Sequence, residues 1–204
     1  MAVITISRQF GAGGRTLGSM VADQLGYTFA DNEIIQKIAE YANVSPAWVE
    51  SVEKEAGTKL AKVVNKLVNR ALVDKVLKDE RGYIDETIYL DYLVVIIAQL
   101  AEEGDVVILG RGSQYILNDH PDAYHVLLID EFENRVDFMT EHYDLTARKA
   151  RQMVQNEDKR RINLYRKLHK EDFDSPELYH MVLNMGRINL DDGLEMICRL
   201  AKVG

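Results

Sequence analysis

The opening of the chain, "VITISRQFGAGGRTLGSMVADQLGY" (Val3 to Tyr27), constrains the fold more than any other stretch. Val3 to Ile6 is a β-branched run of strand character. It breaks into a loop that holds Gly11, Gly13 and Gly14, after which Leu17, Met20, Val21 and Leu25 recur at helical spacing. A strand that passes through glycines into a helix turns bare backbone N–H groups toward one point, and such a point attracts phosphate.

An ordinary phosphate loop has the pattern GxxxxGK[ST]: backbone N–H groups curl around a phosphate, the lysine neutralises charge, and the hydroxyl holds Mg²⁺. No lysine follows the glycines here, and two registers are open. With Gly14 as the last glycine, Arg15 takes the lysine position, Thr16 the hydroxyl position, and Gln9 replaces the first glycine. With Gly13 as the last glycine, Gly14 stands where lysine belongs and Arg15 where the serine belongs. The first register is preferred. It makes Gly11, Ala12, Gly13, Gly14, Arg15 and Thr16 the candidate phosphate-binding residues, with Thr16 as the candidate Mg²⁺ ligand. Gly11, Gly13 and Gly18, followed by Asp31, also imitate a dinucleotide-binding fingerprint, but its third glycine belongs at position 16, where threonine stands. A dinucleotide-dependent oxidoreductase is therefore the weaker alternative. A nucleotide-binding regulator without turnover is a further one, suggested by the missing lysine.

The remainder of the chain supplies the frame. "GYTF" (Gly26 to Phe29) reads as a second short strand, "DVVIL" (Asp105 to Leu109) and "YHVLLID" (Tyr124 to Asp130) as strands buried on both faces, and Met181 to Leu183 as a last short one. Helical patterns fill residues 33–100, run from Glu131 to about His142, and resume after a cap near Asn189. Strands separated by helices long enough for right-handed crossovers predict an α/β chain with a three-layer α/β/α architecture around a parallel sheet. At 204 residues and 47% hydrophobic, one domain spanning 1–204 is expected, with a helical insertion at 33–100.

A formal charge of −8 argues against a nucleic-acid polymer or an anionic membrane as partner. The longest apolar run, "YLVVIIAQL" (Tyr92 to Leu100), is too short to cross a bilayer and reads as core or as the surface of a homodimer. No basic, apolar leader precedes the first strand, so a cytoplasmic protein is expected. The single cysteine, Cys198, reads as a buried thiol, and His120, His125, His142, His169 and His180 show no metal-ligand spacing.

Against this acidic background, "ARKARQMVQNEDKRRINLYRKLHK" (Ala147 to Lys170) is dense in Arg148, Arg151, Lys159, Arg160, Arg161 and Arg166. Arg151, Asp158, Arg161 and Tyr165 share one face if the segment is helical. Phosphoryl transfer needs fixed positive groups around the charge that spreads over the transferred group, whereas hydride transfer does not. Arg111, set between Gly110 and Gly112 after a buried strand, is a second candidate for phosphate contact.

The motifs "ISRQFGAGGRTLG", "DVVILGRGSQYIL", "HVLLIDEFENRV", "EDKRRINLYR" and "MVLNMGRINLDDGLEMI" together resemble the cytidylate kinase-like family over nearly the whole chain. The resemblance implies a P-loop kinase fold in which residues 33–100 bind the acceptor and a basic lid spans about 145–172. It implies ATP and Mg²⁺ as cofactors and small-molecule nucleotides as the partners. By the same resemblance Gly11 to Thr16 match the donor loop, Asp31 the acid that helps hold the acceptor, Arg111 the arginine after the third core strand, and Asp158 and Arg161 the D-x-x-R of the lid. The candidate acceptor-binding residues are then Asp31, Arg111 and Asp158, and the candidate cationic catalytic set is Arg15, Arg111, Arg151, Arg161 and Arg166. The family's kinases carry a tyrosine-arginine pair after the acid that follows the second strand, and here "NEIIQK" stands in its place.

Overall fold

A computed structural model of the chain describes residues 2–31, 86–171 and 173–202. Most of the expected helical insertion, from residue 33 to residue 85, lies outside these described residues. The elements in chain order are β1 (Val3–Arg8), α1 (Gly14–Leu25), β2 (Thr28–Ala30), α2 (Glu86–Glu103), β3 (Val106–Leu109), the single turn α3 (Ser113–Ile116), β4 (Ala123–Ile129), α4 (Phe132–Tyr143), α5 (Ala147–Lys167), a 3₁₀ turn (Pro176–Leu178), β5 (Met181–Asn184) and α6 (Leu190–Leu200).

The five strands form one parallel sheet in the order β2-β3-β1-β4-β5. Strand β1 is central, with Ile6 paired to Leu109 of β3 on one side and to Val126 of β4 on the other. The side chains of β1 alternate between two buried faces. Ile4 and Ile6 pack with Leu17 and Val21 of α1 and Ile197 of α6, in the same core as Val107, Val126 and Leu183. On the opposite face α2 lies against β3 and α3 against β1, and Leu93, Ile96 and Ile97 of α2 are fully buried. The apolar stretch of α2 is thus core through these residues, while Val94 and Val95 reach solvent. The three layers expected from the sequence are present.

Differences at the element ends have local causes. Gly26 takes a left-handed conformation (φ 68°) to cap α1, and the Tyr27 N–H turns back to Ala22 O at 2.8 Å, so β2 starts at Thr28 rather than Gly26. Asp105 is likewise left-handed (φ 47°), and its carbonyl accepts the Thr28 N–H, so β3 begins one residue later than the apolar run. The expected cap at Asn189 is made: its side chain accepts the Asp192 N–H at 2.8 Å. Cys198 is buried, and that burial raises its thiol pKa above the usual value. Among the described residues no helix is long and apolar enough to cross a membrane, and no group of acidic, histidine or cysteine side chains could hold a metal ion.

His125 on β4 is 3% exposed and its Nδ1 lies 2.8 Å from Thr5 Oγ1. Burial, with the neighbouring His180 adding to it, lowers its pKa to about 4. The folded state therefore holds His125 neutral where the unfolded chain would protonate it, and stability is lost as pH falls from about 6.5 toward 4. Urea titrations at pH 7 and pH 5 are expected to differ by about 2 kcal/mol more in the native chain than in His125→Gln. Equal pH dependence in the two proteins would show that His125 titrates normally.

Candidate active site

The order β2-β3-β1-β4-β5 places the end of β1 where the chain leaves in one direction to β2 and returns on the other side to β4. Crevices at such a switch point, at the carboxyl ends of parallel strands, are where open α/β sheets bind ligands. The glycine loop occupies that place. Gln9 stitches its start to β4: its N–H donates to Leu128 O at 3.0 Å, and its Oε1 accepts the Asp130 N–H at 3.0 Å. Gly11 and Gly13 are left-handed, at φ 89° and 75°. A side chain at Gly11 would put its Cβ 2.7 Å from the Arg135 carbonyl oxygen, so both the conformation and the space demand glycine there.

Helix α1 then starts at Gly14 with Gly13 as its cap, and its first internal bond runs from the Leu17 N–H to Gly13 O at 2.9 Å. The N–H groups of Gly14, Arg15 and Thr16 precede that bond and so have no acceptor within the helix. The first turn holds no acidic residue that would neutralise the positive helix end. A cavity of about 250 Å³ opens here. Arg8, Gly11, Gly13, Gly14, Arg15 and Asp31 line one side, and Phe138, Met139, Tyr143 and Met153 form an apolar wall.

That wall comes from the α4–α5 pair, which packs through Val136, Met139, Ala150 and Val154 and carries Phe10 of the loop against it. The loop is also clamped by charge. Asp158 on α5 accepts the Phe10 N–H at 3.0 Å through Oδ1 and pairs with Arg135 Nη1 at 2.7 Å through Oδ2. Arg135 in turn donates to Phe10 O at 2.9 Å. The backbone of Phe10 is thereby held on both sides, through its N–H and its C=O.

The other expected residues divide into two groups. Arg15 is half exposed and directs its guanidinium to Asp31, with Nη2 3.0 Å from Oδ2, while Asp31 itself is buried at the end of β2. Arg111 sits in a turn where Gly110, Arg111 and Gly112 are all left-handed, at φ 71°, 60° and 72°. A non-glycine residue in that region is held under strain of roughly 1–2 kcal/mol. Arg161 is mostly buried, binds both oxygens of Asp174, and lies over the Tyr165 ring at 5.6 Å. Burial acts to lower its pKa, but the Asp174 hydrogen bonds and charge outweigh it and leave the pKa raised. Arg151 instead points outward, into an exposed pair with Glu133 at 2.6 Å, and Arg166 is exposed. Thr16, the candidate metal ligand, occupies the third position of α1.

Two features of the candidate site escaped the sequence reading. One is the Arg135–Asp158 clamp, whose partners are 23 residues apart on different helices. The other is Arg8, which ends β1 and lines the cavity. Its aliphatic stem passes the Gly14 Cα so closely that a Cβ there would meet Arg8 Cγ at 2.9 Å, and its guanidinium lies against Gly110. The only sequence signal was an arginine directly after a buried strand, between that strand and the glycines.

Among curated proteins none matches this chain. In solved structures, an uncharacterized protein from Eubacterium ventriosum shares 18% identity, 98% of each chain being covered, with a TM-score of 0.68. Shikimate kinase from Bacteroides thetaiotaomicron shares 15% identity over 98% of this chain and 97% of that one, with a TM-score of 0.52. Shikimate kinase from Acinetobacter baumannii, solved with shikimate, shares 16% over 98% and 92%, with a TM-score of 0.50. At these identities the likeness is one of fold, and the fold is that of the P-loop kinases. The cytidylate kinase-like family profile matches residues 3–187, most of the sequence, and the chain belongs to that family.

Proposed function

We propose that the protein transfers the γ-phosphoryl group of ATP to a nucleoside monophosphate or a similar small acceptor. The observation that carries this reading is the loop itself: left-handed Gly11 and Gly13 lead into an acid-free helix start at the switch point of a parallel sheet, beside Arg8 and Arg15. Donor phosphates would accept the N–H groups of Gly13, Gly14, Arg15 and Thr16. Thr16, in the first turn of α1, is the candidate residue to hold Mg²⁺, which would supply charge neutralisation to the donor phosphates. An oxygen of the acceptor forms its bond to the γ-phosphorus as the bond to the β,γ-bridging oxygen breaks, giving ADP and the phosphorylated acceptor. Arg111 and Arg161 would hold the transferred group, and Asp31, directly after β2, would contact the acceptor. The chemistry asks for positioning and charge stabilisation, with no covalent intermediate on the protein.

A thermal-shift titration tests the donor site. ATP with Mg²⁺ at a hundredfold excess over its Kd adds about 2.7 kcal/mol of stability. For a chain of this size that is a Tm rise of roughly 5–11 °C. No shift with millimolar ATP and Mg²⁺ would remove the kinase reading, whereas an equal shift with NADH would revive the oxidoreductase.

The acceptor is expected not to be cytidine monophosphate. A site rejects or selects a base through buried polar groups that would otherwise be left unpaired, and the tyrosine-arginine pair of the family's kinases is replaced here by "NEIIQK". Turnover of cytidine monophosphate at an ordinary kinase rate, about 1–100 per second, would contradict this.

A further inference from the structure

Two departures from the ordinary phosphate loop coincide in space. Helix α1 begins at Gly14 with left-handed Gly13 as its cap, which favours the second register over the first. Gly13 is then the last glycine of the pattern, the lysine position falls on Gly14, the first-glycine position on Arg8 and the hydroxyl position on Arg15, with Thr16 one residue beyond it. A side chain at Gly14 has no room, because Arg8 Cγ, Cδ and Cβ lie 2.9, 3.2 and 3.3 Å from where its Cβ would be. The volume through which a lysine at position 14 would leave the helix is filled by the stem of the arginine at position 8. Gly14 leaves free the space that the Arg8 stem occupies, so the two departures are complementary.

We propose that Arg8 is the phosphate-binding cation of this loop, supplying from the end of β1 the charge that ordinary loops supply from the first turn of the helix. The inference rests on the kinase reading above and names a catalytic residue within it. Arg8 lines the cavity beside Gly13 and Gly14, and its guanidinium reaches Gly110 at the edge of the Arg111 turn. Arg15, the other candidate, directs its guanidinium to Asp31. Arginine suits the position because its fork donates two parallel N–H bonds to phosphate oxygens.

The electrostatics agree. Burial lowers the Arg8 pKa; Tyr165 and Glu157 act against that, and the like charges of Arg161 and Arg111 add to it. Arg8 therefore lies within electrostatic reach of both Arg161 and Arg111, so a phosphate bound beside it would draw on all three cations. Arginine remains cationic under such pressure, whereas a lysine would lose its proton more readily. During transfer Arg8 forms and breaks no covalent bond; it donates N–H bonds to phosphate oxygens as charge moves from the γ-phosphate toward the β,γ-bridging oxygen.

Calorimetric titration of ATP with Mg²⁺ into four variants tests the assignment. Arg8→Met keeps the stem against Gly14 and removes the charge, and is expected to weaken binding ten- to hundredfold with the melting temperature little changed. Gly14→Lys alone is expected to destabilise the protein, because its stem meets that of Arg8. The double variant Arg8→Gly/Gly14→Lys restores the ordinary loop and is expected to recover most of the affinity lost in Arg8→Met. Arg15→Ala, which keeps the backbone N–H and removes the guanidinium directed to Asp31, is expected to weaken binding by less than Arg8→Met does. Native binding with full affinity in Arg8→Met would overturn the role of Arg8 and leave the kinase reading intact, and a large loss confined to Arg15→Ala would move the lysine role to Arg15. Absence of ATP binding by the native chain would instead remove the kinase reading, and with it this inference.

Discussion

Asp158→Ala is expected to destabilise the protein by about 3–5 kcal/mol, the effect of leaving one partner of a buried ion pair uncompensated. Arg135 is the partner, with its side chain 7% exposed, and Asp158 is the carboxylate paired with its Nη1. The same substitution strips the acceptor from the Phe10 N–H, so the loop loses its hold on α5. Asp158→Asn keeps that acceptor and is expected to lose less. Urea unfolding of the two variants checks the order, and a loss below 1 kcal/mol in Asp158→Ala would mean that the clamp is solvated. The resemblance placed Asp158 toward the acceptor. The geometry commits both its oxygens to the loop and to Arg135, so we propose that it acts on substrates by fixing the loop.

Arg161→Ala is expected to lower kcat/KM by roughly a hundredfold or more, about 2.7 kcal/mol of transition-state stabilisation. Stability is expected to fall as well, because Arg161 binds both oxygens of Asp174 and covers Tyr165. The two contributions separate with Asp174→Asn. That change weakens the pair without removing the guanidinium, so most activity should remain. Equal losses of activity in the two variants would reduce Arg161 to an anchor for the Asp174 segment. Arg151→Ala and Arg166→Ala are expected to leave turnover nearly unchanged, since both side chains lie in solvent.

The sequence announced the strands because burial on both faces leaves little but apolar residues, as in "DVVIL" and "YHVLLI", and it announced the loop because Gly11 and Gly13 need conformations that other residues resist. Helical periodicity correctly put Asp158, Arg161 and Tyr165 on the inner face of α5 but also put Arg151 with them. Periodicity defines a face without naming the neighbour, and at Arg151 the neighbour is Glu133 on α4. The role of Arg8 was hidden for a related reason. Reading a loop pattern position by position looks for the lysine's replacement at the lysine's place, whereas a side chain six residues away in the pattern can occupy the same volume.

The measurement that bears most directly on the account is phosphoryl transfer itself. The native chain is incubated with γ-labelled ATP, Mg²⁺ and a panel of nucleoside monophosphates and small hydroxylated acids. The expected result is label appearing in one acceptor, with one ADP formed for each acceptor phosphorylated and transfer abolished when Mg²⁺ is chelated. ATP that binds yet yields no labelled acceptor and no ADP across such a panel would contradict it, and would favour a nucleotide-binding protein that does not turn over.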